Sequence, residues 1–304
     1  MEKMIYKYKM VCVKIFIKSI ISIWLSLFLT IGFAEDIVTE YHNIPYKGEE
    51  ELGIGIEFGL GKLEIKSCQD DNYIMQSEIT YSEELFKPSV QYKTVGNRGK
   101  LRLESKQPGK SHHWGSSKIK SSSLKNNHWR IALIETVPMA FNIEMGLGKG
   151  LLDFSGLRVN DLDLDCGLSD VVVEFNKSNE EKIRRLSIET GLGNVEASGL
   201  GYANLKRFDI ECGLGSTTLR FDGDLSRDIK GRITVGLGSV NVEIPKDYAV
   251  QIEAESSFLS SLNFNGFREI DEDVFRSKNW KSAEHRIFMI VEIGLGSVDI
   301  DWIR

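Results

Sequence analysis

The phrase G-L-G, with an acidic residue two places ahead of it and alternating apolar and polar residues on both sides, recurs along the chain and limits the fold more than any other feature. It is clearest in L-S-I-E-T-G-L-G-N-V-E-A from Leu186 and F-D-I-E-C-G-L-G-S-T-T-L-R-F from Phe208. The leading glycine falls at Gly59, Gly146, Gly167, Gly191, Gly213, Gly236 and Gly294. A second glycine follows at Gly61, Gly148, Gly193, Gly215, Gly238 and Gly296, and Ser169 stands in its place once. The central copies are 21, 24, 22 and 23 residues apart. A near-constant step of that size marks a repeat architecture, in which each copy buries its apolar face only against its neighbours.

Within a copy the apolar residues alternate. Phe208, Ile210 and Cys212 precede the corner and Thr217, Leu219 and Phe221 follow it, with polar residues between them. That is the period of a half-buried strand, so each copy predicts two short strands hinged at G-L-G. The expected fold is all-β, a parallel β-solenoid in the form of a two-sheet β-roll with coils of about 22 residues. Glycine at the corner permits backbone angles closed to other residues. The leucine between the glycines (Leu147, Leu168, Leu192, Leu214, Leu237) is expected to fill the edge of the core as an apolar spine.

The domain plan expected is a signal peptide at 1–34, an irregular N-terminal β section at 35–136 and a regular solenoid at 137–304 whose C-terminal part caps the stack. Residues 73–81, 89–95, 100–104 and 129–135 read as further strands without the corner phrase. Between them residues 106–127 are polar, basic and serine-rich, and hold His112, His113 and Trp114 close to His128 and Trp129. Two adjacent histidines lack the third ligand and supporting shell of a metal site, so no metal site is expected there.

The first residues carry Lys3, Lys7, Lys9, Lys14 and Lys18, then an apolar run ending in Gly32-Phe33-Ala34. This is the layout of a cleavable secretory signal, with an uncleaved anchor as the alternative. Removing it leaves 33 basic against 43 acidic groups, which argues against nucleic acid or an anionic membrane as a partner. Membrane association is expected only through that segment if it stays uncleaved. Of the three remaining cysteines, Cys166 and Cys212 occupy the same slot in coils separated by the one bearing Thr190. Two rungs, nearly 10 Å, exceed the reach of a disulfide, so both are expected as small buried fillers.

The runs V-G-L-G-S-V-N-V-E-I-P-K-D-Y-A-V-Q-I and R-I-F-M-I-V-E-I-G-L-G-S-V-D-I, with the entry V-P-M-A-F-N-I-E-M-G-L-G, resemble the bacterial toast-rack and cell-wall-active antibiotic response domains found at the C-terminus of LiaF-like proteins. Adhesin-like β-solenoids share the style. The resemblance covers roughly residues 50–304 and implies an envelope module. LiaF-like proteins carry several membrane spans ahead of this module, whereas here only the N-terminal segment is apolar enough to enter a membrane.

The candidate interaction surface is the acidic residue ahead of each corner: Glu57, Glu144, Asp165, Glu189, Glu211 and Glu292, interrupted by Thr234. In-register stacking would set like charges side by side, which is unfavourable unless relieved. A row of cations, a basic partner or pairing with neighbouring lysines and arginines would each relieve it. The acids repeat with the coil instead of converging on one rung, and no nucleophile has a recognisable setting, so no catalytic residue and no cofactor are expected. The function expected is that of a non-catalytic, exported, adhesin-like scaffold whose partner is an envelope protein or glycan. An envelope-stress accessory module of LiaF type and a carbohydrate-active β-helix enzyme are the alternatives.

Overall fold

The computed structural model describes residues 37–83, 85–106, 126–256, 261–264 and 266–303. The N-terminal segment, His112, His113 and Trp114 lie outside the described residues. The fold is all-β. In chain order the strands are β1 (Ile37–Pro45), β2 (Glu51–Cys68), β3 (Tyr73–Ser82), β4 (Lys87–Val95), β5 (Arg98–Lys106), β6 (His128–Ile134), β7 (Pro138–Asp153) and β8 (Arg158–Glu174). Six shorter ones follow as β9 (Leu186–Thr190), β10 (Asn194–Ser198), β11 (Arg207–Cys212), β12 (Ser216–Arg220), β13 (Ile229–Val235) and β14 (Ser239–Pro245). The chain ends with β15 (Ala249–Ser256), β16 (Ser261–Phe264), β17 (Phe267–Asp271), β18 (Val274–Ser277), β19 (Arg286–Ile293) and β20 (Ser297–Ile303).

The strand topology repeats in a solenoid-like arrangement. Ahead of the corner β8, β9, β11 and β13 pair in parallel, and beyond it β8, β10, β12 and β14 do the same. Equivalent residues of successive copies are direct partners: Ile188 lies beside Ile210 and Ile210 beside Ile233, while Val195 lies beside Thr217 and Thr217 beside Val240. Every second side chain therefore enters one continuous core, which includes Phe58, Phe154, Phe175, Phe208 and Phe221. Phe154 stacks on Phe175 at 5.5 Å between ring centroids, and Phe58 meets the fully buried Trp129 edge-on at 5.2 Å. Trp129 is thus a core residue, its indole N–H donating to the Asn127 side-chain oxygen at 3.0 Å. Cys166 and Cys212 are free and buried on either side of Thr190, as their spacing predicts. Burial, with the Asp165 charge adding to it, pushes the Cys166 thiol up to about 12.

Stack order differs from chain order at both ends. The strand β2, which carries the first corner, has β7 on one side and, on the other, β5 ahead of the corner and β6 beyond it. Strands β5 and β6 thus supply an outer coil as well as antiparallel partners for β4 and β3, and β1 adds to β3. At the far end the last corner copy does not close the stack. Strands β19 and β20 lie between β13 and β14 on one side and β15 and β16 on the other, and the antiparallel pair β18 and β17 continues outward from β15. The atypical strands cap the regular rungs, as a repeat array requires, but the last stretch of chain is interior.

The corner itself corrects the expectation for the leucines. Leu147, Leu168, Leu192, Leu214, Leu237 and Leu295 are 37–57% exposed, and of the seven corner leucines only Leu60 is buried. The inter-coil ladder runs straight through the corner: the Gly213 N–H donates to the Thr190 carbonyl and the Leu214 N–H to that of Gly191, both at 2.8 Å. Four residues separate the inward side chains of Cys212 and Thr217, where strict alternation would leave one. The apex therefore faces outward and takes the leucine with it. The glycines are needed chiefly for close approach: a Cβ at Gly193 would lie 1.9 Å from the Ser169 carbonyl oxygen, whereas positive φ is confined, among the corner glycines, to Gly61 and Gly148.

Candidate functional site

Register brings all six candidate acids into one row and adds two that the corner phrase does not mark. Glu57 pairs with Glu144, Glu144 with Asp165, Asp165 with Glu189 and Glu189 with Glu211. Thr234 follows, then Glu292. Glu104 extends the row beyond Glu57, and Glu255 extends it beyond Glu292. Both additions sit on outer coils without G-L-G, so only the strand register reveals them. Successive positions are about 4.8 Å apart, the spacing of neighbouring strands.

The ends and the middle of this row differ electrostatically. At one end Arg102 reaches Glu57 at 2.6 Å and also pairs with Glu104, which Lys106 meets at 2.8 Å. The Lys106 hydrogen bond, with the Arg102 charge beside it, holds the Glu104 carboxyl below its ordinary value. Near the other end Arg232 pairs with Glu292. None of the ion pairs among the described residues reaches Glu144, Asp165, Glu189 or Glu211, all of which are exposed. The nearby Arg185 bonds Asp209 at 3.0 Å. The Asp165 charge, then partial desolvation and the charges of Glu211 and Asp163, raise the Glu189 carboxyl above its ordinary value.

The four central acids line a groove of 260 Å³ together with Asp163, Asn142, Ser187 and Arg185. Its acids stand in file along parallel strands. Among the described residues no three His, Cys, Asp or Glu side chains converge as a metal-holding group. With Arg185 engaged by Asp209, the groove offers a negative strip that no ion pair among the described residues neutralises, suited to ammonium or guanidinium groups that arrive at a rung-like spacing. A second hollow of 680 Å³ is lined by Glu50, Glu51, Arg98, Asn97, Asn160 and Glu181 among others. Its carboxylates are already engaged, Glu51 by Arg98 at 3.0 Å, Glu181 by Arg158 and Glu50 by Asn97 at 2.9 Å. His128, which follows the histidine cluster in the sequence, faces Glu64 at 3.1 Å, and burial lowers its pKa. No helix among the described residues is long and apolar enough to cross a membrane.

The profile of the family described as "N-terminal domain of toast_rack, DUF2154" matches residues 33–198. Among solved structures, a chain from Clostridium sporogenes ATCC 15579 described as a "putative cell adhesion protein" is similar, with 23% identity over 88% of this chain and 100% of that one and a TM-score of 0.46. A "putative adhesin" from Bacteroides fragilis NCTC 9343 shares 12% identity over 88% of this chain and 98% of its own, with a TM-score of 0.39. Another "putative adhesin", from Parabacteroides merdae ATCC 43184, shares 14% over 87% and 95%, with a TM-score of 0.32. No curated protein sequence matches the chain.

Proposed function

Because the chain belongs to the toast-rack family through its N-terminal domain, we propose that it is a non-catalytic interaction scaffold of the bacterial cell envelope, exported by its N-terminal segment. In this reading the coils form a parallel β-solenoid, a two-sheet roll whose rigidity serves to hold one edge in register. The functional face is the acidic row, and the partner is an envelope protein or glycan bearing positive charge. The observation that carries the reading is the middle of the row, which no ion pair among the described residues neutralises. Among the described residues no ion pair reaches Glu144, Asp165, Glu189 or Glu211, which sit side by side, whereas Glu57, Glu104 and Glu292 nearer the ends are paired, and the Asp165 charge raises the Glu189 carboxyl. Like charges set directly opposite one another cost stability, and a protein with arginines at Arg102 and Arg232 had the means to neutralise them all.

The test is capture from envelope extracts with the exported chain and with its E144Q/D165N/E189Q/E211Q variant, whose substitutions are isosteric and exposed. A partner held by wild type at low salt and lost by the variant supports the scaffold. A captured set identical for both proteins, or a chain found in the cytoplasmic fraction, refutes it.

A further inference from the structure

The corner leucines stand where a partner of the acidic row would touch them. Leu147 and Leu168 pair directly, and the N–H groups of Leu192, Leu214, Leu237 and Leu295 each donate at 2.8 Å to the leading corner glycine of the preceding coil, so the six stack one per rung. All are 37–57% exposed. Five steps of about 4.8 Å make an apolar ridge roughly 24 Å long. Each leucine except Leu237, which follows Thr234, lies three residues after the acid of its own coil, at most about 10 Å away along the chain. The ridge and the negative strip are therefore parallel and adjacent. Scattered exposed leucines need no explanation, but six in register form a contiguous apolar patch of the kind that marks an interaction site.

We infer that this ridge with its acidic flank is a docking surface for a basic amphipathic helix of a partner protein. The inference rests on the reading of the acidic row as partner-facing and names the chemistry of what binds there. Charge complementarity selects a segment whose apolar stripe is bordered by lysine or arginine. Spacing selects a helix. A helix presents its stripe once per 5.4 Å turn, close to the rung spacing, and slips by only about half a rung over five turns. An extended strand advances about 3.3 Å per residue and sets same-face side chains about 6.6 Å apart, losing register after two or three rungs. About 18 residues span the ridge. An anionic lipid surface is disfavoured by the acidic strip, and so is a second copy laid with acid row over acid row.

The experiment measures binding of the exported chain to three synthetic 18-residue peptides: a leucine–lysine amphipathic helix, the same pattern with glutamate for lysine, and the first composition in scrambled order. The expected result is binding of the first, at least tenfold tighter than the scrambled peptide, with no binding of the glutamate version. The variant L168S/L192S/L214S, whose changes are at exposed positions, should weaken the first peptide at least tenfold, and E189Q/E211Q should weaken it several-fold and flatten its salt dependence. Equal binding of ordered and scrambled peptides, a comparison on wild type that needs no variant, overturns the proposal. So does a dimer that the leucine changes dissociate, or binding to phosphatidylglycerol vesicles in preference to the helix. Peptide binding with an empty envelope capture would leave the ridge standing and defeat the scaffold reading; envelope capture without peptide discrimination would do the reverse.

Discussion

At the scale of single residues, the corner shows why one phrase is repeated with so little change. The second glycine of each corner sits under the carbonyl of its equivalent in the neighbouring coil. A Cβ would meet that oxygen at 1.9 Å for Gly193 and 2.0 Å for Gly215, but at 3.1 Å for the leading glycines Gly213 and Gly236. The obstacle is backbone, which cannot rotate away as a side chain does. Gly193→Ala is therefore expected to cost about 3 kcal/mol, the upper part of the usual overpacking range, and Gly213→Ala about 1 kcal/mol. Thermal and urea unfolding of the two variants checks the order; equal costs would mean that backbone angle and not close approach selects glycine. Ser169 marks the tolerance of the rule. It is buried, and its hydroxyl donates to the Met145 and Gly146 carbonyls at 3.3 Å each.

Among elements, the chain places its last two strands inside the stack. Because β19 and β20 carry both β13–β14 and β15–β16, their removal would leave an internal gap, unlike the loss of a true terminal repeat. Ending the chain at Ala283 should abolish hydrogen-exchange protection across Ala249–Ser256 and Val274–Ser277 and expose β13 and β14 as new edges, with aggregation following. Retained protection of β15 would show that the outer coil folds without them. This arrangement was only partly legible in the sequence. Period-two alternation located the strands, because each has one face in the core, and the glycine spacing revealed the repeat. Alternation carries no record of which strand lies beside which, so neither the outer coil of β5 and β6, with Glu104, nor the place of β15 beyond β19, with Glu255, can be read from it. The leucines misled for a different reason: an apolar side chain between glycines suggests burial, and only the count of residues between Cys212 and Thr217 shows that the apex points outward.

For the molecule as a whole, the acidic row and the paired carboxylates pull stability in opposite directions with pH. Glu189 is raised above its ordinary value of 4.5, mainly by Asp165. The folded state binds this proton more tightly than the unfolded state does, so the group destabilises above its folded pKa, and the penalty fades as pH falls through that value and is gone below about 4.5. Glu104 is lowered by Lys106, while burial is outweighed at Glu49 by hydrogen bonds from Tyr92 and the Lys47 N–H and at Glu64 by the Lys62 hydrogen bond and the charges of His128 and Lys62. These groups stabilise above about 4.5, and their contribution is lost as pH falls through their lowered values. The Glu189 contribution should therefore grow on acidification through its raised value, and the contribution of the paired carboxylates should be lost below about 4.5, while the half-buried His128, whose lowered pKa costs stability as pH falls below about 6.5, opposes the first effect. Glu189→Gln removes the first effect alone. Since the side chain is exposed and screened by solvent, the gain expected is only about 1–2 °C in Tm at pH 7, shrinking to nothing near pH 4.5 and smaller in 0.5 M salt. A variant less stable than wild type at pH 7, or a gain that persists unchanged at pH 4.5, would show that the row is not held under electrostatic strain, and the case for a basic partner that relieves it would lose its physical ground.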